Sequence, residues 1–233
     1  MSSPVTDPTP AISAILLDLD DTLIDHTGAE QKAAQLFGRQ FADTIPDYVS
    51  EEFPQRWKEA AGLHFISFLS GEISFQEQRR RRLRTIFRRE DLTPEEADTI
   101  FNNYLKYYEA SWEIYPDVAA FLENHAYLTL SVISNGEQAQ QEAKLDKAGI
   151  RHYFRHVLTA DSAGLSKPDP RFFHQACSLL NLEPFQVCCI GNNLENDTTG
   201  ANDAGLRGVW LNRSGKPVPE GIESISSLAD FRV

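Results

Sequence analysis

Asp18, Asp20 and Asp21 crowd the end of the apolar run Ile15-Leu16-Leu17, so three carboxylates leave a buried strand at one point. Like charges this close repel and raise one another's proton affinity, which is tolerable where a cation binds among them or one acid keeps a proton. Both conditions suit chemistry. An ionised Asp18 can attack a phosphorus centre, Asp20 can pass protons, and Mg2+ can neutralise the remaining charge. A solvated acidic turn that caps the next element is the plain alternative, and the rest of the chain has to decide.

Three further segments carry polar groups, two after apolar strand-like runs and one ahead of an apolar helix. Ser134-Asn135-Gly136 follows Leu128 to Ile133; its hydroxyl can donate to a phosphoryl oxygen, and the glycine lets backbone N–H groups approach the same anion. Ser166-Lys167-Pro168-Asp169-Pro170 holds an ammonium in a loop, because the proline after Lys167 biases its backbone toward an extended form. Such a lysine is either solvated or fixed against a phosphoryl group. Asp169 reads as the N-cap of the helix that Pro170 opens. Gly191-Asn192-Asn193-Leu194-Glu195-Asn196-Asp197 follows Val187 to Ile190 and supplies oxygen ligands of the kind a hard cation takes.

The elements that must position these groups alternate. Strand-like runs occur at Ile12 to Leu17, Leu128 to Ile133, His156 to Thr159, Val187 to Ile190 and Gly208 to Leu211, and from the second onward helix-like stretches separate them. This pattern predicts a parallel α/β sheet, in which ligands bind beyond the carboxyl ends of the strands. Residues 26–112 carry only helical signals and are too long for a loop. Ala29, Ala33, Leu36, Phe37 and Phe41 form one stripe, and Trp57, Ala61, His64 and Phe68 a second. Ser74 with Glu77, and Thr93 with Glu96, predict the starts of two more helices. Four amphipathic helices can close a small bundle, which serves either as a lid or as a packing extension.

With 233 residues, the chain can form one core plus a smaller lobe. We read residues 1–10 as a flexible tail, 11–25 with 113–233 as the α/β core, and 26–112 as a helical cap. The net charge of −12 argues against binding a nucleic-acid polymer. Cys177, Cys188 and Cys189 show no metal-binding spacing and read as core thiols of a reducing compartment. Without a leader-like or membrane-spanning apolar segment, the expectation is a cytoplasmic protein with no membrane partner. Nothing in the composition specifies an oligomeric state.

Taken in order, these motifs resemble the haloacid dehalogenase superfamily, specifically its aspartate-nucleophile phosphatases with a helical cap, the house-cleaning phosphatase and nucleotidase-like group. The resemblance spans nearly the whole chain and implies a Rossmann-like parallel sheet core with an inserted four-helix cap. Asp18 and Asp20 match the family's nucleophile and general acid/base, Lys167 its third motif, and the stretch from Gly191 to Gly205 its fourth. Thr22, Ser134, Asn135 and Gly136 fall at its phosphate- and substrate-binding positions. Asp18, Asp20 through its backbone carbonyl, Asn192 and Asp197 are then the implied Mg2+ set, with Asp197 acting through water or by orienting Lys167.

One residue departs from the pattern. The family places an Asp where this chain has Asn192, whose amide oxygen coordinates without adding charge, so cation affinity should fall. The implied activity is Mg2+-dependent hydrolysis of a small phosphorylated metabolite through an aspartyl-phosphate. A catalytically impaired binding protein and a sugar-phosphate phosphotransferase are the alternatives. In the cap, Arg79 and Arg82 share helical spacing with Phe75, Leu83 and Ile86, so they either reach the edge of the packed face or point into a cleft and contact substrate.

Overall fold

A computed structural model describes residues 11–233, so the tail read at residues 1–10 lies outside the described residues. Strand β1 (Ala14–Leu17) is followed by four consecutive helices: α1 (His26–Gln40), α2 (Phe53–Leu69), α3 (Phe75–Phe87) and α4 (Pro94–Ala110). After α5 (Val118–Asn124) the alternation resumes with β2 (Thr129–Ser134), α6 (Gln138–Lys147) and β3 (Phe154–Thr159). The short α7 (Ala160–Ala163), α8 (Pro170–Leu180) and β4 (Val187–Gly191) come next. A π-helical turn (Leu194–Thr199), α9 (Gly200–Asp203), β5 (Arg207–Leu211) and β6 (Glu223–Ile225) complete the chain.

The six strands form one sheet in the order β3-β2-β1-β4-β5-β6, and every neighbouring pair is parallel. Alternation sorts β1 between two cores. Ile15 and Leu17 join the cluster that continues into the inserted helices, whereas Ala14 and Leu16 join Phe172, Phe173 and Cys177 on the opposite face. The four β1 residues are at most 1% exposed, and burying each large apolar side chain contributes about 1.5–3 kcal/mol. The parallel sheet and its helical cap thus appear as the apolar runs predict. Sequence periodicity misses β6, because three half-polar residues at a sheet edge leave no alternation to read.

Local chemistry sets the helix ends. Thr93 and Glu96 form the reciprocal capping box at α4, while Ser74 accepts from the Glu77 N–H at α3. Asp169 accepts from the Arg171 N–H ahead of α8. The cap's interior is aromatic: Trp57 lies 4.4 Å from Tyr104 and 5.0 Å from Phe37, centroid to centroid. Its entering and leaving segments run side by side, since Asp25 donates to the Glu113 carbonyl and Tyr115 to the Leu23 carbonyl at 2.9 and 3.0 Å. Among the described residues no helix is long and apolar enough to cross a membrane. All three cysteines are buried free thiols; burial pushes Cys177 up to about 11 and Cys188 up to about 12, so they stay protonated and inert.

Candidate active site

Because β1, β2 and β4 are adjacent and parallel, the residues after each strand emerge at one edge of the sheet. Asp18 is 6% exposed there. One of its oxygens accepts from Lys167 Nζ at 2.7 Å and the other from Thr22 Oγ1 at 2.8 Å. Lys167, equally buried, also donates to Asp197 Oδ1 at 2.6 Å. The second Asp197 oxygen accepts the Asn193 N–H at 2.9 Å, so this carboxylate is committed to the lysine and to its own turn. Asn193 caps that π-helical turn by accepting from the N–H groups of Glu195 and Asn196. Gly191 is required beside it, because a Cβ would sit 2.2 Å from Asp197 Oδ2.

Asn135 clamps Lys167 from the β2 side. Its side chain accepts the Lys167 N–H at 2.8 Å and donates to the Lys167 carbonyl at 2.9 Å, so this amide fixes the lysine loop and keeps one N–H donor at the cavity it lines. Ser134 Oγ accepts from Gln141 Nε2 at 2.7 Å and from the Gly136 N–H at 3.1 Å. Its own proton is thereby left for another acceptor. A Cβ on Gly136 would meet Gln141 Nε2 at 2.6 Å, so glycine is needed for that approach.

The crowding of the three acids is relieved by divergence. Asp21, in the left-handed region at φ 61°, turns away and accepts from the backbone and hydroxyl of Thr27 at 2.7 and 2.6 Å. Asp20 accepts from Lys144 Nζ at 2.5 Å and from Gln141 Nε2 at 2.8 Å. Lys144 is 1% exposed and lies 5.5 Å from the Tyr108 ring centre and 5.8 Å from that of Trp112, so α4 and its exit pack against the pair.

Neither Lys144 nor Gln141 is visible as a site residue from sequence. The available signal was their i, i+3 spacing on the face of α6 that also buries Leu145, where polar side chains need buried partners. Thr22 also differs from expectation: it is fully buried under Asp18, bonded to Asp18 and to the Asn192 N–H, and does not line the cavity. Its place four residues after Asp18, on the tight turn that buries Leu19 and Leu23, puts its hydroxyl behind the carboxylate.

The two acids differ electrostatically. Burial is the largest influence on Asp18 and, with Asp197 and Asp20 nearby, outweighs the pull of Lys167 and pushes its carboxyl up to about 7. One ammonium is shared between two buried carboxylates, and Lys167 is held above the ordinary lysine range by them despite its own burial. Burial would raise Asp20 too, but Lys144 and His26 overcome it and hold that carboxyl well below the usual range.

These groups open into a cavity of about 400 Å3 between the sheet edge and the cap, lined by Asp18, Asp20, Ser134, Lys167, Asn192 and Asp197 on one side. Arg79, Arg82 and aromatic rings of α3 and α4 line the other. Among the described residues no group of three or more His, Cys, Asp or Glu side chains could hold a metal ion. The oxygens that converge are Asp18 Oδ2 and Asn192 Oδ1, 2.8 and 3.5 Å from the Thr22 hydroxyl. Both are hard oxygens of the kind Mg2+ takes, and the pair brings one charge fewer than two carboxylates would supply.

A family model for haloacid dehalogenase-like hydrolases matches residues 12–205. The chain is 28% identical to a phosphoserine phosphatase of Thermus thermophilus over 94% of both chains. It is 25% identical to the pyrimidine 5'-nucleotidase YjjG of Escherichia coli, over 93% of this chain and 95% of the other. The crystal structure of the HAD-hydrolase YfnB from Bacillus subtilis, bound to magnesium, superposes with a TM-score of 0.78 at 20% identity, covering 94% of this chain and 96% of that one.

Proposed function

The chain belongs to the haloacid dehalogenase-like hydrolases, and from that premise we propose that it is a Mg2+-dependent phosphomonoester hydrolase whose nucleophile is Asp18. The observation that carries this reading is the meeting of Asp18, Ser134, Lys167 and Asp197 at one wall of a cavity large enough for a small phosphorylated metabolite. Asp18 attacks phosphorus in line, the bond to the ester oxygen breaks, and the phosphoryl group passes to the Asp18 carboxylate. Lys167 and the Ser134 hydroxyl hold non-bridging oxygens and are fixed in advance by Asp197, Asn135 and Gln141, so little reorganisation is needed at the moment of transfer.

Asp20 handles the protons. Lys144 and His26 keep it ionised in the free protein, and a phosphoryl dianion arriving beside it raises its proton affinity by like-charge repulsion. The protonated acid gives its proton to the departing alkoxide. Ionised again, it takes a proton from water as the water oxygen attacks phosphorus, releasing inorganic phosphate and restoring Asp18. Mg2+ would be held by Asp18, the Asp20 backbone carbonyl and Asn192 and would supply Lewis-acid neutralisation of phosphoryl charge, while Asp197 orients Lys167.

Lys144 positions Asp20 and sets its charge. Lys144→Met is expected to lower kcat by about 10- to 100-fold, part of the 10²–10⁴ that acid–base catalysis typically contributes. Removing a positive charge raises the proton affinity of Asp20, and Lys144→Arg, which keeps the charge, should recover most of the lost rate; an unchanged kcat in Lys144→Met would leave Lys144 a packing residue. Asn192→Asp adds the missing charge and is expected to reduce the Mg2+ needed for half-maximal rate by about tenfold or more, as ligand charge tunes affinity for hard cations. An identical Mg2+ titration would remove Asn192 from the ligand set. The function itself is tested by phosphate release from a panel of sugar phosphates, nucleoside monophosphates, phosphoserine and phosphoglycolate, with and without Mg2+. We expect release that requires the metal; a folded protein that releases phosphate from none of them contradicts the proposal.

A further inference from the structure

The arginines of residues 79–89 divide by partner. Arg80 pairs with Asp98, Arg81 and Arg84 with Glu77, Arg88 with Asp47 and Arg89 with Asp91. Arg82 is 8% exposed, yet its nearest carboxylate, on Glu30, stands 3.9 Å away, and its Nε is buried with no partner. Gln78 accepts from its Nη2 at 3.2 Å. Arg79 has neither an ion pair nor a side-chain hydrogen bond among the described residues; it lies over Phe75 at 4.5 Å and Phe101 at 5.4 Å. A ring face stabilises a guanidinium charge but takes up none of its N–H donors in the manner of a carboxylate.

The two exceptions are also the arginines that line the cavity, opposite Asp18. Lys58 joins them on that wall, and Glu30 is the one carboxylate of the cap facing the same space. Three cations therefore oppose a single acid at the cap end, in a chain whose net charge is −12. Burial disfavours the charged form of Arg79 and lowers its pKa from the ordinary value, a cost that a bound anion would offset. The phosphoryl group is already provided for at the other end by Lys167 and Ser134. A cavity of about 400 Å3 leaves room for carbon atoms between the two ends.

We propose that Arg79 and Arg82 form a second anion site, so that the substrate is a phosphomonoester carrying a carboxylate at the end remote from the scissile phosphate. The guanidinium fork matches a carboxylate in two parallel hydrogen bonds, and such charge-assisted bonds are the strong ones. The inference rests on the phosphohydrolase reading for the orientation of the substrate, but not for the existence of the site.

The test uses substrate pairs that differ in the remote anion: phosphoserine against phosphoethanolamine, and phosphoglycerate against glycerol phosphate. A sugar bisphosphate against its monophosphate asks whether a second phosphate substitutes for the carboxylate. The full-length protein is expected to favour the carboxylate-bearing member by about 10- to 100-fold in kcat/KM, mostly through KM, the range for hydrogen bonds between charged groups. Arg79→Met keeps the packing on Phe75 and Phe101 but should collapse that ratio toward unity, and Arg79→Lys should restore part of it. Equal kcat/KM within each pair overturns the second anion site while leaving the hydrolase intact, and a preference confined to the bisphosphate overturns the carboxylate assignment. If no member is hydrolysed the hydrolase reading fails, and calorimetric binding of the same pairs to wild type and Arg79→Met still decides the site. Tighter binding of the carboxylate member that the variant loses supports it, and equal or undetectable binding overturns it.

Discussion

Asp18→Asn is expected to abolish phosphate release, with a loss of at least about 10⁴-fold in kcat, because removing a covalent nucleophile leaves only binding and electrostatic contributions. The substitution is nearly isosteric, and the stability of the variant separates chemistry from unfolding. Asp18 is a buried carboxylate whose ionised form is disfavoured by burial and by neighbouring acids. Replacing it with a neutral amide should therefore leave the denaturation midpoint unchanged or raised, as found where a strained functional group is removed. A variant that keeps Mg2+-dependent turnover refutes the nucleophile assignment. One that loses both turnover and its fold would show that Asp18 is needed for structure.

Lys167→Met should cost both activity and stability. The ammonium is the shared partner of Asp18 and Asp197, both nearly fully buried, so its removal leaves two carboxylates without their counter-charge. Breaking a buried pair from one side typically costs about 3–5 kcal/mol, and loss of a donor to the developing phosphoryl charge lowers kcat by about 10²–10³. The stability loss has a sign in pH. Asp18 is already raised above the ordinary 3.8 and loses the pull of Lys167 in the variant, so it is accommodated when protonated and becomes unfavourable as pH rises through its folded value. Because Asp18 in the wild type is itself pushed up to about 7, the gap from wild type should widen as pH rises above about 7 in urea titrations. A constant gap would mean that the buried carboxylates are not what destabilises the variant.

The parts of this protein that were legible in its sequence are those encoded locally. The Ile15-Leu16-Leu17 run, the capping pairs at Ser74 and Thr93, and the Asp169-Pro170 helix start are each written within a few residues and recur as expected in the structure. The order of the four polar motifs was equally local, and parallel pairing of β1 with β2 and β4 carries the three that follow strands to one edge. Contacts made across the fold could not be read this way. Lys144 meets Asp20 from a distance of 124 residues in sequence, and nothing near Lys144 distinguishes it from a solvated helical lysine except its place on the Leu145 face. Likewise, Asn135 offers its amide to the Lys167 backbone, and Asp21 turns to Thr27, because of the packing of loops that no periodicity describes. Arg79 and Arg82 could be set on the apolar side of α3 by spacing, but that Arg82 has only Glu30 at 3.9 Å, while Asp98 goes to Arg80 and leaves Arg79 without a carboxylate, emerges only when α1 and α4 are in place.

The central claim is that a carboxylate oxygen of Asp18 carries the phosphoryl group between two half-reactions. The most direct measurement is acid quenching of the protein during turnover of a hydrolysed panel member, followed by peptide mass spectrometry. The peptide containing Asp18 is expected to gain the mass of one phosphoryl group transiently, hydroxylamine to remove it, and Asp18→Asn never to acquire it. Sustained phosphate release with no phosphorylated intermediate on that peptide at any quench time, or with the group on another residue, would contradict that claim.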